Sequence, residues 1–323
     1  MQKYVLCLGA VNLDVLYAVD DLENFLAAWG TGLVRGGEEV LTPEEETRLK
    51  ELLPRFGQPT GRSGGGQAGN AAYALARLEV PVTLVGRVGA DEDGVFLKES
   101  LAGVNLDHLV TEGESSRAYI LVDPAGERTI LVAPNTNDRL QEDDIPFEAV
   151  AGSAFVHITS FAGEGPLRAQ ERVLQRLAGR LRVCFDPGEL YARRGRQALS
   201  DLLDQTETLL VTAQEWEMLG GELRGHPDWA PPVILVKRGA KGTRMLTPVR
   251  YLDFAPYAPE GPVDTLGAGD VFAAGYIAGL YQGLNLPQAV RLASSLAAFA
   301  LGGPGRERYP DRRVMDAVVS SLR

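Results

Sequence analysis

Three features of the sequence predict an α/β protein with a mostly parallel central sheet, helices on both faces and a small antiparallel β addition. Short β-branched runs alternate with helical runs, several of those runs end in glycine or carboxylate, and one hairpin signal interrupts the alternation. The 323 residues, 45% hydrophobic and 23% charged, suffice for a large core and are long for one compact domain without being clearly two.

The elements follow in chain order. Tyr4-Val-Leu-Cys-Leu-Gly-Ala-Val11 reads as a buried strand. Residues 20–62, rich in acid and glycine, break the rhythm. Within them Thr42 is placed as an N-cap, Pro43 at the first helical position and Glu45 as the partner of a capping box. The charges of this helix read as a solvated face. Residues 70–78 read as a helix, 82–89 as a strand and 90–103 as helical. Residues 116–134 form two strands around Asp123-Pro-Ala-Gly126, a hairpin expected to add to the main sheet. Strands follow at 154–161, 183–187, 209–213 and 233–239.

Ligands of open α/β sheets bind beyond the carboxyl ends of the strands. The segments there are Gly9–Asp14, Asp186-Pro-Gly188, Thr212-Ala-Gln-Glu215 and Lys237–Gly242.

Net charge of −11 argues against nucleic acid or an anionic membrane as the main partner, while a local N–H cradle still permits a phosphorylated ligand. Cys7 and Cys184 sit in apolar runs and read as buried reduced thiols. His108, His157 and His226 are too scattered for a metal site. The first apolar run is too short to span a membrane and lacks a small-residue cleavage pattern, so the cytoplasm is the expected location. No P-loop occurs. Gly64–Gly69 matches G-x-G-x-x-G, but the preceding Gln58–Ser63 are not strand-like, which sets aside a nicotinamide-dependent dehydrogenase. The glycines read instead as a turn packing a helix start, or one letting the backbone approach a polyol beside Asn70.

Asp264-Thr-Leu-Gly-Ala-Gly-Asp270 carries the chemistry. Capping alone, typically worth ~0.5–2 kcal/mol per contact, needs one aspartate and does not explain Gly267 and Gly269. A glycine turn at a helix start offers the N–H groups of Leu266 to Gly269 to a transferred phosphoryl group. Asp270 is then placed to accept the proton of an attacking hydroxyl, and Asp264 to hold water or a cation.

These residues resemble the ribokinase-like (phosphofructokinase-B) carbohydrate kinases over nearly the whole chain. Asp264–Asp270 fits the family's D-T-x-G-A-G-D signature, and Gly65-Gly-Gln-Ala-Gly-Asn-Ala-Ala72 fits its G-G-x-x-x-N-x-A signature. Gly9–Asp14 is similar to the G-x-x-N-x-D whose aspartate binds sugar hydroxyls. The hairpin at Gly126–Thr129 resembles the substrate-side region, and Gly239-Ala-Lys-Gly242 the G-x-x-G near the nucleotide.

The resemblance implies a three-layer sandwich in a single domain, residues 1–323, with lid segments at about 15–62 and 116–134. It implies transfer of the γ-phosphoryl group of ATP to a sugar hydroxyl, with Asp270 as base and Gly267, Ala268 and Gly269 as anion hole. Asn12, Asp14, Gly65, Gly66 and Asn70 would bind the acceptor. Thr212, Lys237, Gly239, Gly242 and Thr265 would bind nucleotide, along residues 238–242 and a helix at 287–301. Glu215 and Asp264 would serve Mg²⁺, with a K⁺ site near the Asp264 loop, and the lid would be a homodimer contact. The family's N-x-x-E carries Thr212 in place of asparagine, a substitution expected to weaken the site modestly.

A nucleoside is the alternative acceptor, and a non-catalytic sugar or nucleotide sensor the alternative class. A sugar phosphate acceptor would need a cationic clamp. Arg62, Arg87 and Arg117 read instead as surface or lid ion pairs.

Overall fold

The computed structural model describes residues 3–258 and 265–322. In chain order its strands are β1 (Val5–Leu8), β2 (Asn12–Val19), β3 (Glu38–Val40), β4 (Gly57–Gly65), β5 (Val82–Val88), β6 (Leu109–Thr111) and β7 (Arg117–Val122). There follow β8 (Arg128–Ala133), β9 (Phe155–Thr159), β10 (Val183–Asp186), β11 (Thr208–Thr212), β12 (Val233–Lys237), β13 (Thr243–Thr247) and β14 (Arg250–Phe254). They form a nine-stranded sheet, β14-β13-β12-β11-β10-β9-β1-β5-β6, and a five-stranded sheet, β3-β8-β7-β2-β4.

In the large sheet β12 through β6 run parallel, and β13 and β14 close one edge antiparallel. Strands covered on both faces need apolar side chains on both. β1 has them: Val5 and Cys7 enter one core, Leu6 and Leu8 the other. Helices Gln67–Arg77, Ala268–Tyr281 and Leu286–Ala300 fill the first core, and Glu164–Arg176 packs in the second. This is the mostly parallel α/β architecture, covered by helices, that the sequence predicts. The chain turns back at β1, with β5 and β6 on one side and β9 to β12 on the other, a switch point that opens a crevice.

The first strand is shorter than its apolar run. It ends at Leu8, and the chain then leaves for β2 in the second sheet; at Gly9, where a Cβ would lie 1.9 Å from Thr159 Oγ1, only glycine fits. The hairpin expected on the main sheet also belongs to the second sheet: β7 pairs in parallel with β2 and antiparallel with β8. Residues 58–63, not strand-like in composition, lie within β4. It is an exposed edge strand, and Pro59 pairs with Tyr17 beside a register shift that leaves Thr60 without a partner, where its missing donor is tolerated. It is not the buried parallel strand that a dinucleotide fingerprint requires.

Alternation gives the second sheet two different faces. Ala118, Ile120, Ile130 and Val132 line a cleft, whereas Tyr119, Leu121, Leu131 and Ala133 bury under helices Leu22–Trp29 and Pro43–Leu52. The capping box of Thr42 and Glu45 is present. The face of that helix is not wholly solvated, however. Glu46 is buried and accepts from Tyr119 Oη (2.7 Å) and pairs with Arg117 (3.3 Å). Cys7 and Cys184 are buried and free.

Candidate active site

The cleft, about 410 Å³, lies beyond the carboxyl ends of β1, β9 and β10, between the large sheet and the inner face of the small one. Asn12 and Asp14 reach it because β2 begins immediately after the switch point. Asn12 Oδ1 accepts from Ser116 Oγ and from Asn137 Nδ2, both at 2.8 Å. Asp14 is 5% exposed, and burial pushes its carboxyl up to about 7, against the pull of Arg306 and Arg128. Gly65 explains the room for it: a Cβ there would lie 2.0 Å from Asp14 Oδ1. Gly66 takes φ +79° with Ala10 O only 2.4 Å from a Cβ position, which glycine alone allows.

The helix that Gly66 starts carries Asn70 one turn in. Asn70 Nδ2 donates to Asp270 Oδ2 at 2.8 Å, joining two residues 200 positions apart. Asp270 is 8% exposed in the first turn of helix 268–281. Burial pushes its carboxyl up to about 7; Asn70 and, at longer range, Lys237 and Arg306 oppose the rise, while Asp186 adds to it.

Thr265, Gly267 and Gly269 line the cleft beside Asp270. Gly267 has φ +73°, and a Cβ there would meet Tyr309 Oη at 2.0 Å. Ala268 is not at the cleft wall, and its N–H closes a turn onto Thr265 O at 3.3 Å. Asp264, and with it the expected K⁺ site, lies outside the described residues.

Under β10 to β12 the partners are ionic. Lys237 Nζ meets Asp186 Oδ2 at 2.7 Å and would be 3.4 Å from a Cβ at Gly269, so a cation sits against the glycine turn. Burial disfavours its charge, but Asp186, Glu215 and Asp270 together raise its pKa. Thr212 and Glu215 form a capping box: Thr212 Oγ1 accepts from Glu215 N (3.2 Å) and Glu215 Oε2 from Thr212 N (2.7 Å). Glu215 still lines the cleft; burial and Asp186 raise its pKa, while Lys237 opposes them. Gly239 and Gly242 follow β12 with φ +55° and +77°, and a Cβ at Gly242 would lie 2.0 Å from Phe254 O. Neither lines the cleft. Among the described residues no cluster of three or more His, Cys, Asp or Glu could hold a metal ion by itself.

Two residues of the site escape the sequence reading of roles. Asp186 was visible as the acid ending a strand, but its pairing with Lys237 was not. Arg306 lies in a glycine- and proline-rich turn and donates from Nε to Asn70 Oδ1 at 2.8 Å. The arginines considered as a clamp are engaged elsewhere. Arg87 bonds Glu112 and Asp144, Arg117 bonds Asp93 and Glu114, and Arg62 approaches Asp93 at 3.8 Å.

The profile of the pfkB family carbohydrate kinases matches residues 45–310. An ATP-dependent ribose-1-phosphate kinase of Halopiger xanaduensis is 32% identical over 98% of this chain and 97% of its own. A sugar kinase of Archaeoglobus fulgidus is 33% identical over 73% of this chain and 98% of its own. The adenosine kinase structure from Sinorhizobium meliloti superposes with TM-score 0.82 at 20% identity, covering 99% of this chain and 100% of that one. With its fold and these relatives, the chain belongs to the pfkB family of carbohydrate kinases, phosphotransferases that act on sugars or nucleosides.

Proposed function

We propose that the protein transfers the γ-phosphoryl group of ATP to a hydroxyl of a sugar, with Asp270 as general base. The observation that carries this is a carboxylate and a glycine turn facing one cleft: Asp270 with Gly267 and Gly269, opposite Asp14. A base with a pKa pushed up to about 7 is matched to neutral pH. Asn70 holds Asp270 Oδ2, which aims the other oxygen at the acceptor hydroxyl. The Gly267-Ala268-Gly269 backbone at the helix N-terminus offsets charge on the transferred group. Asn12 and Asp14 orient the acceptor, with Gly65 and Gly66 giving it and them space.

Lys237 neutralises phosphate charge, with Gly239, Gly242 and Thr265 along the nucleotide, while Thr212 caps the helix that carries Glu215. The carboxylate of Glu215 suits Mg²⁺ held mainly by phosphates and water, a mode that needs only one or two protein carboxylates. When bound, that ion would neutralise the phosphate oxygens. In this reading the small sheet is the lid. Its outer face is already buried by the chain's own helices, so we infer that the lid is not a homodimer contact through that face.

A phosphorylated sugar is the second reading of the acceptor. Arg306 and Arg128 both act on the Asp14 carboxylate, and Arg128 NH1 reaches Thr265 Oγ1 at 3.5 Å. The ribose-1-phosphate kinase relative supports the same class. ADP release with ATP and Mg²⁺ against ribose, fructose, ribose 1-phosphate, adenosine and cytidine tests both, with Asp270→Asn as the blank. Acceptor-dependent ADP that disappears in the variant supports the proposal. Binding without ADP from any acceptor supports a sensor instead.

A further inference from the structure

We propose that Arg306 is a positioning residue for the phosphotransfer reaction: it fixes the side-chain amide of Asn70 so that its NH₂ faces Asp270. The inference rests on the kinase reading above.

An asparagine amide has two nearly isosteric orientations, and its hydrogen-bond partners decide between them. Asn70 has one partner on each side. Arg306 Nε can only donate, so at 2.8 Å it requires Oδ1. That leaves Nδ2 for Asp270 Oδ2, also at 2.8 Å. With the amide reversed, two donors would meet at Arg306 and two acceptors at the ionised Asp270. The chain Arg306–Asn70–Asp270 therefore admits one orientation whenever Asp270 is charged. It holds one carboxylate oxygen and leaves the other for the acceptor.

Arg306 is itself fixed. Its guanidinium lies over the Tyr73 ring at 5.1 Å, and NH1 contacts Ser100 O and Oγ, each at 3.4 Å. Gly64 leaves its space open: a Cβ there would lie 2.7 Å from NH1. Three residues on, Tyr309 supports Gly267, donating to Gly267 O at 3.4 Å. One short segment thus backs both the base and the glycine turn. The charged groups acting on Asp270 are Arg306 from this segment, Asp186 from β10 and Lys237 from β12. The carboxylates acting on Arg306 are Asp14 and Asp270, and the titratable Tyr73 and Tyr309 also lie beside it.

The test is a double-mutant cycle of Arg306→Met and Asn70→Ala, with Arg306→Lys as the conservative variant. Arg306→Met should lower kcat by about tenfold to a hundredfold with the KM for ATP within about twofold, as a misaimed base does. The double variant should be no slower than about twofold below Asn70→Ala, because Arg306 acts through Asn70. Arg306→Lys should recover part of the loss. Multiplying effects in the double variant, or a loss confined to the KM for ATP, overturn the inference. A second readout does not depend on turnover: the Asn70 side-chain NH₂ resonances in a ¹⁵N spectrum, assigned by their loss in Asn70→Ala. They should move and broaden in Arg306→Met while the remaining spectrum stays dispersed. Unchanged Asn70 resonances overturn the positioning role even if no acceptor is ever phosphorylated. Absence of phosphotransfer with moved resonances sinks the kinase reading alone.

Discussion

Two pairs of carboxylates around the cleft have different partners. Asp14 and Asp270 are buried, and among the described residues no lysine or arginine forms a close ion pair with either; Asp270 is held by the neutral amide of Asn70. Their carboxyls rise to about 7, where a proton moves easily. In the second pair Asp186 is locked to Lys237 at 2.7 Å, and Glu215 is tied to its own helix start. The first arrangement suits proton transfer, and the second suits charge balance around phosphates. The same residue type serves either task according to whether its near partner is an amide or an ammonium.

Removing the Asp270 carboxylate should give the largest effect. Asp270→Asn should lower kcat by about a hundredfold or more with little change in ATP affinity, as measured by steady-state ADP release and nucleotide titration. A large loss of ATP affinity would make Asp270 part of the charge balance and erase the contrast. Breaking the Lys237–Asp186 ion pair should behave oppositely. Lys237→Met leaves Asp186 buried without its cation, at a cost of roughly 3–5 kcal/mol in stability. Urea unfolding should show that loss, and nucleotide affinity should fall with it.

The pH dependence sharpens the comparison. The proposed base role requires an ionised Asp270, so kcat/KM should fall about tenfold per unit of pH below about 7. Stability should run the other way. A carboxyl whose folded pKa rises from 3.8 to about 7 binds its proton more tightly in the folded chain. Its stabilising contribution is complete below 3.8 and is lost as pH rises to about 7. Asp270→Asn should therefore raise Tm relative to the parent at pH 8, and the difference should shrink towards pH 4. A Tm difference independent of pH would show that burial does not strain this carboxylate.

The parallel sheet was legible because strands such as β1 and β12 are apolar on both faces, a local property. The partner of the hairpin was not, since β7 pairs with β2 about a hundred residues earlier and no residue of either strand specifies the other. The strand at Gly57–Gly65 was hidden by Pro59 and its glycines, because its pairing depends on β2 and not on its own propensity. Asp14, Asn70 and Asp270 were legible through their motifs. Arg306 carried no signal, since an arginine in a turn reads as surface and only folding sets it 236 positions away against Asn70.

The smallest effect concerns Thr212, which departs from the asparagine of the resembled pattern. Thr212-Ala-Gln-Glu215 has the S/T-x-x-E spacing recognised at Thr42–Glu45, and the structure forms the capping box at both. The Thr212 hydroxyl is thus engaged with a backbone N–H of its own helix before any nucleotide arrives. Thr212→Ala should cost about 1 kcal/mol of stability while leaving kcat within about twofold. Thr212→Asn keeps an excellent cap and should leave both unchanged, so a kcat gain in that variant would assign the position to nucleotide binding. If Thr212→Ala instead raised the KM for ATP severalfold at unchanged stability, the hydroxyl would belong to the nucleotide-binding residues, and the cap would be its resting partner.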